Sequence, residues 1–393
     1  MAKKQIILSQ CNSQYLSYSD FVFPYLDQIG LDNYECYHLY YCPWGTGNDY
    51  EDLSKINYQS DLIIWVIEDT LSESMRDYNW YSDKKPEALL HLERICRMYP
   101  KKKFILMTEQ YKLNDLCTAN NLKFVDLTPY CFRFDRNKYN YNICLKKPGP
   151  SVKNWMFLNN TPRIHRISIL SYVLSKNIDK FGYISASSKI FEKIKDHKKI
   201  YSLYQTIFQF DIQTSLKLNI GYNILKNKSF EVTELVPYYQ KKFLNIDNYN
   251  NNLIQFYEKT KLELICSTTF SEPTLCFSEK EYQCFYGRNF FIYFNSFGSI
   301  GCLRKWGFDV FDDVVNHDYD RIVDPSERMI RAIDDNIHLL DGSTDLDILW
   351  EDREERFNQN CLVADNIQEK LDTESKKQIL ERLDEYSIPY KKQ

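Results

Sequence analysis

The chain has 393 residues, of which 44% are hydrophobic and 26% charged, values typical of a globular protein with two or three domains. Its 50 Lys and Arg residues are balanced by 54 Asp and Glu residues, which excludes a uniformly basic nucleic-acid-binding protein. No apolar run approaches the roughly 20 residues that cross a bilayer, and the first residues lack the apolar stretch of a signal peptide. The twelve cysteines show neither a CxxC pair nor zinc-ligand spacing, so we expect reduced thiols and a cytoplasmic protein.

The first 150 residues alternate short apolar runs with longer mixed segments. Strands are predicted at residues 5–8, 61–67, 103–107 and 122–127, and helices at 85–99 and 114–120. In the longer helix, the apolar residues that recur at helical spacing are Ala88, Leu89, Leu92, Ile95 and Met98. Strands that alternate with helices indicate a parallel sheet with covering helices.

A domain boundary is predicted at residues 146–151, KKPGPS, where two prolines flank a glycine without any periodicity. Beyond it, a strand at Trp155–Leu158 precedes an Asn-Asn-Thr-Pro turn and a helix at 163–176. Further strands are predicted at 182–185, 230–235, 263–266 and 290–294, and further helices at 278–287, 299–306, 324–340, 348–356 and 370–386.

The fold class is therefore α/β, with two Rossmann-like domains at 1–150 and 151–340 and an acidic helical tail at 341–393. The tail holds 14 acidic and 8 basic residues, so the body before it is slightly positive, which suits a small anionic ligand. Ligands of such sheets bind at the carboxyl ends of the strands.

The amino end of the predicted helix at 278–287 is the main candidate site. Ser278 and Glu281 have the spacing of a capping box, which places Glu279 and Lys280 in the first turn. Unpaired N–H groups and the positive end of the helix dipole gather there, and a lysine completes a site for a phosphate or diphosphate. In the preceding loop, Glu272 could accept hydrogen bonds from sugar hydroxyls.

These residues resemble the donor-binding motif of fucosyltransferase-like glycosyltransferases, in which a Ser-Glu pair precedes a Thr/Ser-Glu-Lys triplet. Similar fucosyltransferase-like proteins are encoded by phages and large viruses, which would place the protein in the host cytoplasm. The resemblance covers about residues 155–340. Its other segments are Gly298-Ser299, Leu303-Arg304, Gly307-Phe308, Phe311-Asp312, Tyr319-Asp320, Asp324-Pro325 and Glu327-Arg328, with Phe157–Arg166 upstream.

The resemblance implies a GT-B arrangement and an inverting transfer, without a metal or other cofactor, from a nucleotide sugar to a hydroxyl acceptor such as a glycan. A GDP-sugar is one candidate donor. Lys280 would contact the diphosphate, Glu279 the ribose or sugar hydroxyls, and Arg166 the phosphates, with Arg163 as its rival. Asn159 and Asn160 would form the adjoining donor loop. Cys276 stands where characterised fucosyltransferases have an aromatic residue, which leaves the sugar open.

The catalytic base would be a carboxylate at the carboxyl end of a strand in the first domain. Glu109 follows the strand at 103–107 and ranks first, since Thr-Glu-Gln resembles the strand-ending acid of the family. Glu68, or its neighbour Asp69, follows the strand at 61–67 and is the second candidate. A helix-capping role explains either acid equally well.

Other functions stay open at this point. A carbohydrate- or nucleotide-binding protein with a decayed transferase site would keep the same cations, and a viral enzyme that glycosylates hydroxylated DNA bases would also bind duplex DNA. The acidic pairs Asp318/Asp320 and Asp345/Asp347 could suggest an Asp-x-Asp metal site, but both lie at predicted helix starts, where acids are common. We therefore predict no metal site.

Overall fold

Each of two units is built around a parallel β-sheet in the computed structural model of the chain. The first unit comprises mainly Met1–Phe134 and Ile367–Gln393, and the second Asp135–Ser271 and Phe277–Asn366. The structure describes residues 4–7, 19–40, 53–68, 87–108, 113–127, 149–158, 164–185, 210–228, 256–267 and 279–391, together with 230, 270 and 277.

The sheet of the first unit has five parallel strands in the order β1-β2-β3-β4-β5. They are β1 (Lys4–Ile7), β2 (Tyr34–Tyr40), β3 (Leu62–Glu68), β4 (Lys103–Thr108) and β5 (Leu122–Asp126). Four of them confirm predicted strands. The second, β2, escaped prediction because its sequence YECYHLY mixes polar and aromatic residues; the buried Glu35 accepts hydrogen bonds from the Tyr37 hydroxyl (3.1 Å) and the Gln59 amide (3.1 Å).

Both faces of this sheet are covered, which explains the continuous apolar run of β3. Ile64 and Val66 pack in the core that includes α1 (Ser19–Gln28), whereas Ile63 and Trp65 pack in the core that includes α2 (Glu87–Met98). A short helix, α3 (Leu113–Leu116), precedes β5 and is shorter than predicted.

The last helix, α11 (Glu354–Glu385), is a single helix of 32 residues, of which the sequence predicts mainly the last part, at 370–386. The segment predicted at 348–356 contributes only its last three residues to α11. Residues 341–393 are divided between the units: the part of α11 up to Asn366 belongs to the second and the remainder to the first. In the first unit, Ser375 Oγ donates to the Asp126 carbonyl at 2.9 Å, and Arg382 Nε to the Phe124 carbonyl at 3.0 Å. Among the described helices, none is both long and apolar enough to cross a membrane.

The sheet of the second unit has four parallel strands in the order β7-β6-β8-β9. They are β6 (Trp155–Leu158), β7 (Gly182–Ser185), β8 (Leu262–Cys266) and β9 (Phe290–Phe294), all at predicted positions. Of the strand predicted at 230–235, Phe230 lies outside any strand and the rest falls outside the described residues.

The helices of this unit cover both faces of the sheet. Ile167, Leu170 and Val173 of α4 (Ile164–Ser175) are buried in the same core as Leu264 and Ile292. The opposite face, where Glu263 and Tyr293 point, is covered by α6 (Glu279–Gly287). The remaining helices are α5 (Ile212–Asn227), α7 (Ser299–Trp306), α8 (Pro325–Asp334), α9 (Ile337–Leu340) and α10 (Leu346–Glu351).

Two sequence expectations about helices need correction, and one helix was not predicted. Met98 is 58% exposed, so it does not belong to the buried face of α2. The single helix predicted at 324–340 is broken into α8 and α9, because Asn336 turns its side chain onto the backbone and donates to the carbonyls of Asn316 (2.9 Å) and Ala332 (3.0 Å). The helix α5 had no prediction at all, since its apolar residues are not confined to one face.

Candidate functional site

The strand order places a topological switch point between β6 and β8. These two strands are adjacent, but the chain leaves β6 through α4 toward β7 on one side and leaves β8 through α6 toward β9 on the other. In doubly wound sheets, ligands bind in the crevice outside the carboxyl ends of the strands at such a point. The amino ends of α4 and α6 therefore flank the expected position of a ligand, each with its dipole positive toward it.

Two predicted cations lie at this edge. Lys280 is in the first turn of α6 and is half-buried, and Arg166 is in the first turn of α4 and is buried. Both are close enough to Cys266, the last residue of β8, to act on its thiol: burial raises the pKa of Cys266, and the charges of Arg166 and Lys280 lower it. Both cations are therefore carried by the first turns of the helices that flank the carboxyl end of β8, where an anion would meet positive charge.

Arg166 also has a positioning role that the sequence did not indicate. Its Nη2 donates to the carbonyl oxygens of Cys266 at 3.2 Å and Ser267 at 3.0 Å. A guanidinium can donate hydrogen bonds to both carbonyls and still present positive charge to a ligand, because it carries five N–H donors on a planar frame. Arg166 therefore fixes the end of β8 while it places a buried positive charge at the switch point.

Two more basic side chains hold the segment after β8. A ring nitrogen of His165, Nε2, lies 3.1 Å from the Ser267 carbonyl, and the imidazole stacks on Phe270 with ring centroids 5.8 Å apart. Arg328 donates from Nη2 to the Phe270 carbonyl, and its guanidinium lies 4.7 Å above the Phe270 ring. Arg328 was not among the predicted site residues, although it lies in a segment of the family resemblance; its burial within α8 is the feature that the sequence could not show.

The first turn of α6 is tied to the end of β9 by a buried hydrogen-bond chain. The Tyr293 hydroxyl donates to Glu281 Oε1 at 2.6 Å, and Asn295 Nδ2 donates to that hydroxyl at 2.5 Å. Asn295 Oδ1 in turn accepts from the amide of Ser296 at 2.7 Å. Glu281, predicted as a capping-box residue, therefore holds the helix that carries Lys280 against the sheet.

A second carboxyl group, Glu263, is buried in the middle of the same face. The pKa of Glu263 is raised from its ordinary value to about 8. Burial is the largest cause and the charge of Glu281 adds to it, whereas hydrogen bonds from Tyr257 and Cys284 and the charge of Lys280 act in the opposite direction. Glu263 is thus largely protonated at neutral pH. No sequence signal marked it, because a single acid in an apolar strand shows no spacing that distinguishes it.

Glu263 should make the stability of the second unit depend on pH. Its folded-state pKa lies above the unfolded value, so unfolding releases a proton between about pH 5 and pH 8, and the free energy of unfolding falls as the pH rises through this range. Glu263→Gln keeps a neutral side chain at every pH. As the pH rises from 5 to 8, we expect the free energy of unfolding of the variant to increase by about 3 kcal/mol relative to that of wild type, measured by urea denaturation.

The exposed Glu351→Gln substitution controls for the loss of an acid. If wild type and Glu263→Gln keep a constant difference in free energy of unfolding across this range, then Glu263 does not bind a proton in the folded protein.

The amino end of α7 also follows a strand of this sheet, but an internal carboxylate occupies it. Asp320 accepts from Ser299 Oγ (3.2 Å) and from the amides of Ile300 and Gly301 (both 3.1 Å). The donors at this helix end are used by the protein itself. Ligand binding is therefore expected at the α4 and α6 ends rather than at α7.

Three of the four acids in the pairs that could suggest a metal, Asp320, Asp345 and Asp347, have structural roles. Asp320 caps α7, as described above. His317, next to the first pair, is buried: its ring nitrogens lie 3.0 Å from the Tyr319 hydroxyl and 2.9 Å from the Val310 carbonyl, and burial lowers its pKa to about 4. Asp345 caps α10, and Asp347 accepts from Ser151 and pairs with Lys261 at 3.2 Å. Across the described ranges, no three His, Cys, Asp or Glu side chains are grouped to hold a metal ion.

The structure brings only part of the predicted site into view. Arg166 and Lys280 lie in the first turns of α4 and α6, the two helices that flank the switch point. Glu279 begins α6 and Glu68 ends β3, but the side chains of these two acids are outside the described part of the chain. Also outside it are Glu109, Asn159, Asn160, Arg163, Glu272 and Ser278. No protein-family model matches the chain, and no curated protein matches it in sequence. The candidate site is therefore interpreted from its own geometry.

Proposed function

We propose that the second unit binds the diphosphate of a nucleotide sugar at the β6/β8 switch point, and that the chain is an inverting, metal-independent glycosyltransferase. The observation that supports this proposal is the position of Arg166 and Lys280 in the first turns of the two helices that flank the switch point. Two cations and two helix amino ends supply positive charge of the kind that binds a diphosphate.

The same arrangement suits a transfer reaction. When the bond between the sugar and the nucleotide breaks, the leaving diphosphate gains negative charge, and positive groups fixed in advance stabilise that charge without reorganisation. Arg166 is held by the carbonyls of Cys266 and Ser267, so its guanidinium is in place before a ligand binds. The Glu281–Tyr293 bond holds α6, the helix that carries Lys280, against the sheet. The acceptor, on this proposal, is a hydroxyl group of a glycan or a related molecule.

The proposal extends to the first unit as the acceptor side of a GT-B arrangement. A carboxylate there would remove the proton of the acceptor hydroxyl as it attacks the anomeric carbon. Glu68 stands at the end of β3, at the carboxyl edge of the first sheet, where such a base is expected. Glu109, one residue beyond β4 in the chain, stays the first-ranked candidate for this base, and Glu68 is the second.

The substitution that tests the function is Lys280→Ala. After a panel of nucleotide sugars has been screened for thermal stabilisation, we expect kcat/KM for the best donor to fall by about 100-fold or more in this variant. Lys280 is half-buried at a helix end, so the midpoint of thermal unfolding should stay close to that of wild type. The matched control is Lys305→Ala, which removes an exposed lysine from α7 of the same unit.

Equal turnover by Lys280→Ala and wild type would remove the assignment. Tight nucleotide-sugar binding by wild type without release of nucleotide, in the presence of a broad acceptor panel, would instead indicate a binding protein. The two readouts, binding and nucleotide release, therefore separate the site from the reaction.

A further inference from the structure

The outer face of α2 in the first unit carries cations and aliphatic side chains together. Four exposed side chains of this helix fall within an arc of about 100° on a helical projection: Leu90, Arg94, Arg97 and Met98. The opposite side of the helix packs in the core, where Leu92 and Ile95 are buried. The helix therefore presents one defined surface to solvent, and that surface is both basic and partly apolar.

The apolar part of this surface consists of two long aliphatic side chains. Leu90 is 41% exposed and Met98 is 58% exposed, and they lie two helical turns apart with Arg94 between them. An isolated exposed apolar residue is ordinary on a protein surface. Two of them in one row with cations form the pattern of a helix that lies on a lipid surface.

The charged part of the surface is positive. Arg97 pairs with the buried Glu93 at 3.0 Å, yet its side chain stays 62% exposed. Arg94 is exposed on the same face, and Lys101 is exposed three residues after the end of α2. Among the described side chains at 89–102, every exposed charged one is a cation. Such a surface complements a partner that carries negative charge.

The kind of apolar side chain distinguishes between negatively charged partners. Proteins that hold single-stranded nucleic acid stack aromatic rings on the bases, but the exposed apolar side chains of this face are aliphatic. The nearest aromatic residue, Tyr99, uses its hydroxyl to donate to the Ile56 carbonyl at 3.3 Å. Aliphatic side chains enter the boundary between lipid headgroups and acyl chains, and arginine and lysine side chains pair with the anionic headgroups above it.

We propose that the outer face of α2 docks on an anionic lipid bilayer. Arg94, Arg97 and Lys101 meet the negative headgroups, while Leu90 and Met98 enter the upper edge of the acyl region. The contact is peripheral and sensitive to salt, because exposed charges are screened as the ionic strength rises. It involves the first unit and does not depend on the nucleotide site proposed for the second.

Co-sedimentation with phosphatidylcholine vesicles, with and without phosphatidylserine, tests this surface at low and high salt. We expect wild type to bind the vesicles that contain phosphatidylserine at low salt, and to stay in solution with phosphatidylcholine alone. The double variant Arg94→Glu/Lys101→Glu should bind at least about 25-fold more weakly, because each cation near an anionic surface contributes about fivefold. Met98→Gln should weaken binding about fivefold, the effect of leaving roughly 40 Å² of apolar surface in water.

The matched control is Lys370→Glu/Lys377→Glu, which changes the net charge by the same amount on the part of α11 that belongs to the first unit. Both lysines are exposed, but the exposed acids Glu369 and Glu374 lie beside them in the chain. The control should bind vesicles as wild type does. All the replaced side chains are exposed, so the midpoint of thermal unfolding should stay close to that of wild type in every variant.

Absence of vesicle binding by wild type at low salt would overturn the proposal, and so would equal weakening by the two double variants. An unchanged affinity of Met98→Gln would also overturn it, since the contact would then be purely ionic. Binding to duplex DNA but not to vesicles would assign the same face to a nucleic acid instead.

Discussion

Replacing Gly221 by alanine should destabilise the second unit by about 3–5 kcal/mol, although the same change in most helices is stabilising. Gly221 lies in the middle of α5, where glycine costs roughly 1 kcal/mol relative to alanine. Tertiary packing demands it nevertheless. A Cβ atom at this position would lie 1.6 Å from the backbone oxygen of Ser171 in α4.

The size of the effect follows from what would have to move. The obstructing atoms belong to the backbone of α4 and not to the end of a flexible side chain, so the two helices must separate. The amino end of α4 carries Arg166, and a shift of that helix would disturb the cation at the switch point. We therefore expect Gly221→Ala to weaken nucleotide binding as well as stability.

The free energy of unfolding, measured by urea denaturation, tests this prediction, with Asn223→Ala as the control. Asn223 is exposed on the same helix, so its replacement changes helix propensity without touching the contact between the helices. The control should be as stable as wild type or slightly more so. A Gly221→Ala variant as stable as the control would mean that α4 and α5 do not approach as closely as the structure has them.

The second large effect is expected for Asp320→Ala, which should lower the free energy of unfolding by about 3 kcal/mol. The carboxylate accepts three hydrogen bonds at the amino end of α7, from one hydroxyl and two backbone amides. Because the region is buried, water cannot replace all of these bonds, and the helix dipole loses its compensating negative charge. Asp320→Asn keeps one acceptor oxygen, so its free energy of unfolding should fall by roughly half as much.

Asp318 provides the control, because it is exposed and lies two residues before Asp320 in the short 3₁₀ helix Asp318–Arg321. Asp318→Ala should change the free energy of unfolding by less than about 0.5 kcal/mol. Similar losses in both aspartate variants would show that net charge, and not the cap of α7, determines the effect.

The stability predictions and the ligand predictions address different parts of the second unit. Asp320 holds the amino end of α7, so Asp320→Ala should lower the free energy of unfolding and leave nucleotide binding by the folded protein unchanged, whereas Gly221→Ala should lower both. Lys280→Ala should fold normally and lose catalytic efficiency with the nucleotide-sugar donor. A variant set that shows this separation would support a built anion site, since a general loss of stability would lower both properties together.

The sequence determined the local elements of this protein, because they depend on neighbouring residues. Apolar runs located β3, β4, β8 and β9, and Asp324-Pro325 located the start of α8, where the Asp324 side chain does accept from the Glu327 amide at 2.7 Å. The position of Lys280 in the first turn of a helix that follows a strand was likewise readable from local spacing. The α/β class followed from the order of these elements.

Only the tertiary structure decided how the elements combine into a site. Strand order creates the switch point, and pairing between distant strands leaves no trace in local periodicity. Long-range contacts likewise turned Arg166 toward the carbonyls of β8, buried Glu263 beside the charge of Glu281, and required a glycine where α5 meets α4. The physical reason is that burial and charge coupling depend on which distant segments exclude water from a side chain, and a short stretch of sequence does not contain that information.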